Sequence, residues 1–237
     1  MNLTRRGLLG RRRGVWLLIL PVLLLLLAAL IRWASEGDVG ATVGLIDNFA
    51  LGTLLPLTCL LIATSVIGAE IDDGSIVYLL AKPGARLNLL LSKLTVGWVA
   101  AVVFAVVPLV AAVEVSGDDA GRLAVAYGVT ALLAALTYTA LFVALSIVSR
   151  SAVIIGLLYA LLWETILGGY VPGVRNVSVR QWALAAAEEI LGDRATVWGV
   201  TSAVSLPAGL VLLTVAVIGA IVVGTLRLQT LRLTAGE

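Results

Sequence analysis

The chain has 237 residues, 61% hydrophobic and 13% charged, with a mean hydropathy of +1.11 and a formal net charge of +2. Soluble domains carry about 25% charged residues, so this composition excludes an ordinary water-soluble fold, and so small a net charge points to no nucleic acid. The absence of histidine, with a single cysteine (Cys59), excludes an internal disulfide and makes a His/Cys metal centre untenable.

The missing charge leaves long gaps, at 14–31, 48–69, 94–113 and 123–149. Each is close to the ~20 apolar residues that cross ~30 Å of hydrocarbon. Backbone groups in that medium must be satisfied within the chain, by helices or by a closed barrel. Barrel strands are ~10 residues long and alternate in polarity, whereas these runs are longer and uniformly apolar. The expected fold is an all-α polytopic membrane protein, one domain over residues 1–237, with six spans at about 14–33, 49–70, 90–113, 123–149, 151–170 and 207–226.

In chain order, the cluster Arg5, Arg6, Arg11, Arg12 and Arg13 precedes the first run. It reads as an orientation signal that also meets anionic lipid. The run behind it is long for a secretion signal and lacks an A-x-A site, so it is expected to remain as the first span. In the second span Cys59 reads as a small apolar filler, and Gly52 as a packing residue.

Between spans two and three lies GAEIDDGSIVYLLAKPGAR at 68–86, with acids first and bases last. Asp72 or Asp73 can cap a short helix over 75–81, with the anions at its positive end. Pro83 stops that helix and Gly84 permits a turn. Arg86 and Lys93 mark the edge of span three. The residues alone allow two readings, a lever for a soluble partner or an ordinary solvated loop.

Spans four and five carry small residues suited to close packing, among them Ala131, Ala134, Ala135, Gly156, Gly168 and Gly169. Glu164 stands within span five, where a carboxylate costs roughly 2.5–3.5 kcal/mol at a helix centre and less near the interface. It reads as a pathway or gating residue, or as a carboxylate hydrogen-bonded to the segment that follows; Trp163 and Tyr170 read as interface-belt residues. In the segment 171–206, Ser178-Val179-Arg180-Gln181 forms a capping-box signature and Gly192 a C-terminal stop. This predicts a short helix at the outer membrane surface, with Trp182, Ala185, Ala186 and Ile190 on one face. Residues 195–206 then dip toward the protein before Pro207 opens the last span.

If both termini share a side, that side holds 11 of the 16 basic residues, which makes it cytoplasmic and requires an even number of spans. No G-x-x-x-x-G-K-[ST] loop occurs, nor any Gly-Lys pair, so the chain is not a nucleotide-hydrolysing subunit of that type. Without histidine, no Ser/His/Asp or Cys/His catalytic set can be built.

The stretch 68–86 resembles the signature of ABC transporter permeases of the type-2 exporter superfamily. More specifically, it resembles the small six-span permeases related to multidrug exporters and to the permease of nitrous-oxide-reductase maturation systems. That pattern, roughly E-x-x-x-G-[ST]-hydrophobics-x-x-P-x-x-R with a later Lys, is matched by Glu70, Gly74, Ser75, Pro83, Arg86 and Lys93. Residues 159–182, YALLWETILGGYVPGVRNVSVRQW, resemble the family's Trp-Glu pair and the Ser-containing external helix after it. Asp72 and Asp73 make the loop more acidic than the pattern requires.

The resemblance implies a non-catalytic permease of a bacterial inner membrane with both termini cytoplasmic. It implies pairing with a second copy or a related permease and with two separate ATPase subunits that bind ATP and Mg²⁺; no cofactor is expected on this chain. The loop would be the coupling helix, with Glu70, Asp72, Asp73, Gly74, Ser75, Lys82, Pro83, Arg86 and Lys93 at the ATPase. The cargo would be a hydrophobic or amphipathic molecule. Two other classes compete: a membrane scaffold without transport, and a Mg²⁺-dependent lipid-phosphate enzyme using Asp72 and Asp73. The latter lacks further carboxylates, since only Glu70 is in reach.

Overall fold

The computed structural model describes residues 11–35, 38–72, 85–116, 120–149, 151–167 and 172–230; every regular element among them is helical. Helix α1 is Arg11–Ala34. One continuous helical run then comprises α2 (Val39–Gly44), a π-helical stretch π1 (Leu45–Leu54) and α3 (Leu55–Asp72). A second comprises α4 (Ala85–Ala101), π2 (Val102–Val106) and α5 (Val107–Ser116). The long helix α6 (Ala120–Val148) is followed by α7 (Ala152–Leu158) running into π3 (Tyr159–Leu167). Three short helices, α8 (Pro172–Arg175), α9 (Val179–Leu191) and α10 (Asp193–Val197), precede the last, α11 (Leu206–Thr230).

Five described runs are long and apolar enough to cross a bilayer: Leu17–Ala34, Val39–Val66, Leu87–Val115, Gly121–Val148 and Leu206–Leu228. The fifth expected span is represented by a shorter apolar helix, Ala152–Ile166. At 1.5 Å per residue it covers about 22 Å, short of ~30 Å of hydrocarbon. Six full-length spans are therefore not found among the described residues.

Span two also begins earlier than hydropathy suggests. Asp38 caps α2, accepting from the Gly40 and Ala41 N–H groups at 3.3 and 3.1 Å, and the helix runs on from Val39. Asp47, just ahead of the span expected from residue 49, therefore stands on the helical run itself.

Two of the three π-helical stretches lead directly into prolines, Pro56 and Pro108. Proline lacks an N–H and collides with the carbonyl four residues back, so helices widen or kink there. The Gly52 carbonyl, which Pro56 cannot serve in the α pattern, accepts instead from the Thr165 hydroxyl at 2.9 Å.

Helix α6 is the hub of the bundle, packing against α3, α9 and α11, and also against α4, α5 and α7. Its buried surface is rich in alanine, including Ala126, Ala131, Ala134 and Ala135, which lets neighbouring backbones approach closely. By contrast, α1 and α11 bury little and expose leucine and valine, as expected of helices facing lipid.

The bundle has two distinguishable ends. At one, Arg32 of α1 donates to the Val115 carbonyl at the end of α5, and Arg122 at the start of α6 donates to the Ile190 carbonyl of α9. At the other, Gly224 of α11 lies beside Leu90 of α4 and Ile147 of α6. Helices α9 and α10 belong to the first end.

Helix α9 is not a surface helix. Val179, Arg180, Gln181, Leu184, Leu191 and the alanines 183, 185, 186 and 187 are all buried, and the helix lies against both α6 and α11. The physical reason is its run of alanines, which leaves no bulk to hold it away from the bundle. Helix α11 approaches it so closely at Gly209 that a Cβ there would stand 2.5 Å from the Trp182 carbonyl oxygen. The expected Ser178 cap and Gly192 stop are both present. The Ser178 side chain accepts from the Gln181 N–H, and Gly192 takes a positive φ of 59°. The Gln181 side chain does not close the capping box; its oxygen accepts from the Ala203 N–H at 3.1 Å.

Candidate functional site

The buried residues Glu164, Ser178, Arg180 and Gln181 gather where span two, π3 and the first turn of α9 meet. Glu164, on π3, is fully buried. Its carboxylate accepts from the Ser178 hydroxyl at 2.6 Å, the Val179 N–H at 2.9 Å and the Tyr159 hydroxyl at 2.8 Å, with the Arg180 N–H at 3.5 Å. These backbone donors are the ones a helix start leaves without intrahelical partners, and they carry the positive end of the helix dipole. The chain thus fills its own anion site, and the donors offset the cost of burying the charge.

The Arg180 side chain leaves the same turn in the other direction. Its Nη1 donates to the Asp47 carbonyl at 3.0 Å and lies 3.4 Å from the Asn48 side-chain oxygen. Gly52 makes room for it, since a Cβ there would sit 3.0 Å from Nη1. Asp47 accepts in turn from the Tyr127 hydroxyl of α6 at 2.8 Å. One turn deeper, π1 and π3 are joined by Thr165, whose hydroxyl donates to the Gly52 carbonyl and lies 3.3 Å from the Thr53 hydroxyl. Two acids and an arginine from three elements therefore interlock inside the bundle.

At the opposite end, Glu70 stands in the last turns of α3 and Asp72 is its final residue. Arg86 is in the first turn of α4 and Lys93, half-buried, lies further along the same helix. Helices α3 and α4 pack together, so the elements carrying Glu70 and Lys93 are neighbours. Asp73, Gly74, Ser75, Lys82, Pro83 and the expected coupling helix over 75–81 lie outside the described residues, as do Gly168, Gly169 and Tyr170. Among the described residues no group of three or more His, Cys, Asp or Glu side chains could hold a metal ion.

Of the clustered groups, Glu164 stood out in sequence as a charge inside an apolar run. Asp47 and Arg180 did not, because each reads as a solvated charge beside a span. A usable signal existed for Asp47: with Asp38 as a helix cap, the run behind it contains Asp47 as its only charge.

Residues 9–168, about two thirds of the chain, match the family described as ABC-2 family transporter protein. A probable ABC transporter permease protein NosY from Stutzerimonas stutzeri is 31% identical over 140 residues, covering 54% of this chain and 50% of that protein. The chain thus spans about half the length of the curated relative it matches. No solved structure matches.

Proposed function

The chain belongs to the ABC-2 family of transporter proteins, and from that premise we propose that it is the membrane subunit of an ATP-driven exporter. Two such subunits, identical or related, work with two ATPase subunits that bind ATP and Mg²⁺. The cargo is a hydrophobic or amphipathic molecule, in keeping with spans that carry few charges. The protein sits in a bacterial inner membrane with both termini cytoplasmic, as the distribution of Lys and Arg favours.

The observation that carries this reading is the family match over residues 9–168. The continuity of one helical run supports a route for coupling. The segment 70–86 seats in the ATPase, with Glu70, Asp72, Asp73, Gly74, Ser75, Lys82, Pro83, Arg86 and Lys93 at or near the contact. Glu70 and Asp47 stand toward opposite ends of one helical run, α2–π1–α3. A push on the loop is therefore delivered along a single rod to the polar cluster around Arg180 and Glu164, which makes Glu164 a member of the responding machinery.

The test uses the ATPase. The purified chain alone is expected to hydrolyse no ATP, and hydrolysis appears on adding the ATPase subunit. Glu70→Ala removes a charge-assisted contact worth ~1.5–3 kcal/mol, so coupling or assembly falls by about tenfold to a hundredfold. Gly74→Pro does more, by fixing the backbone where the loop turns. Both variants insert normally, since neither position lies in an apolar run. If both also assemble and support hydrolysis like the parent, the loop does not couple.

A further inference from the structure

Several hydroxyls inside the spans turn back onto their own helix. Those of Thr58, Thr64 and Thr137 donate to the carbonyl four residues earlier, at 2.8, 2.8 and 3.1 Å, which satisfies a threonine away from water. Three buried hydroxyls of α6, those of Thr130, Tyr138 and Thr139, have no hydrogen-bond partner among the described residues. The two threonines can reach their own backbone by turning about χ1. Tyr138 cannot, because its hydroxyl stands at the far end of a rigid ring. A polar group buried in this way calls for a partner, since leaving it unmet is costly.

The Tyr138 ring is fixed where it stands. It stacks on Phe142 at a centroid distance of 6.1 Å, and Phe142 meets the Tyr159 ring edge-on, also at 6.1 Å. Tyr159 donates to Glu164 at 2.8 Å. The Tyr138 hydroxyl comes within electrostatic reach of both the Glu164 carboxylate and the Tyr159 hydroxyl. Those two groups have acceptor capacity to spare. Tyr159 spends its one proton on Glu164 and keeps its lone pairs. The second oxygen of Glu164 accepts from Ser178 at 2.6 Å, but the Arg180 N–H stands off at 3.5 Å, the outer limit of a hydrogen bond. Side chains nearby are short: a buried alanine precedes each of Tyr138 and Glu164 by four residues, Ala134 and Ala160. An internal water needs two to four polar partners and room beside them.

We propose that Tyr138, Tyr159 and Glu164 hold one buried water molecule, which accepts from the Tyr138 hydroxyl and donates to the Tyr159 oxygen and the Glu164 carboxylate. The water hydrates a carboxylate that the bundle otherwise surrounds with protein donors, and it ties α6 to π3. This site goes beyond the transporter reading and does not depend on it.

Hydroxyl-radical labelling by X-ray pulses tests the site in the unmodified chain. Radicals born from a bound water oxidise the side chains beside it, whereas a dry buried ring is spared. The protein is irradiated in detergent, and the rate at each tyrosine is read by mass spectrometry. Tyr138 is expected to be oxidised about tenfold faster than Tyr127, which is equally buried but whose hydroxyl is taken by Asp47. Equal rates overturn the proposal.

The variant Tyr138→Phe adds two readouts. Labelling at position 138 is expected to fall to the rate of Tyr127; a rate that stays high reports opening of the bundle and overturns the water. Removing an orphaned hydroxyl would raise the midpoint of thermal unfolding, whereas removing one that holds a water lowers it, by about 2–4 °C. An unchanged or raised midpoint overturns the proposal. So does a lowered midpoint with Tyr138 as unreactive as Tyr127 in the parent, which reports a dry, direct bond to Glu164. If Tyr138→Phe is not recovered folded, the rates in the parent decide alone. None of these measurements needs ATP, an ATPase or cargo, so failure here sinks the water site alone, whereas failure to assemble with an ATPase sinks the transporter reading alone.

Discussion

Glu164 shows how a costly residue is accommodated inside the bundle. Its two oxygens are surrounded by two hydroxyls and the N–H groups of a helix start. Glu164→Ala strips the acceptor from all of them at once. Each buried donor left unmade costs about 1–3 kcal/mol, so several kcal/mol of stability should be lost. Glu164→Gln keeps one carbonyl oxygen and should lose roughly half as much. Thermal unfolding of the purified protein in detergent, followed by size-exclusion chromatography, measures both. If Glu164→Ala melts with the parent, the carboxylate does not hold α9. That Glu164 mattered was legible from a charge standing in an apolar run, and its partners were half legible, since Ser178 already read as a cap. Arg180 was not legible, because a cation on a helix next to a span is indistinguishable in sequence from a solvated one.

At the level of elements, α9 and α11 are held at a distance that only glycine permits. An added methyl at Gly209 meets the Trp182 carbonyl, a backbone atom that cannot swing aside. Gly209→Ala should therefore cost about 1–3 kcal/mol through overpacking. At Gly219, on the same helix, nothing lies within 4 Å of an added Cβ, so Gly219→Ala should be neutral or slightly stabilising. The midpoint of unfolding in sodium dodecyl sulfate, followed by tryptophan fluorescence, separates the two; equal midpoints would mean that the close approach is not maintained in solution. The existence and caps of α9 follow from Ser178 and Gly192. Its burial does not, because an alanine-rich amphipathic helix fits a membrane surface or a bundle equally well until the neighbouring helices are in place.

For the whole molecule, the bundle sorts its loops between two ends, and the charges sort with them. Arg32, Arg122 and Arg180 all bond at the end that carries α9, whereas Arg86 and Lys93 lie toward the other along α4. Cysteines placed at Ser116 and Asn176 should react with an impermeant thiol reagent supplied outside the cell, and one at Ser75 should not. Reversed labelling would invert the orientation and, with it, the face on which an ATPase could bind. The six-span expectation came from hydropathy, which counts apolar length. The described fifth run is shorter, and the chain beyond it returns into the bundle as α9, held by Glu164 instead of by solvent.

Residue order and composition by themselves determined that this chain is helical and crosses a membrane repeatedly, because water-free hydrocarbon leaves a long apolar run no alternative to internal backbone hydrogen bonds. They also determined where helix α9 starts and stops, since caps are local chemistry. Tertiary structure alone decided which charges are buried and what they bond. Asp47 stands more than a hundred residues of chain from Glu164 and Arg180, and the three come together only once α6 has gathered spans two and five and α9 around itself. A charge in water and a charge in a filled polar pocket carry the same letter in sequence; the difference lies in which donors and acceptors the packed helices bring within 3 Å of it.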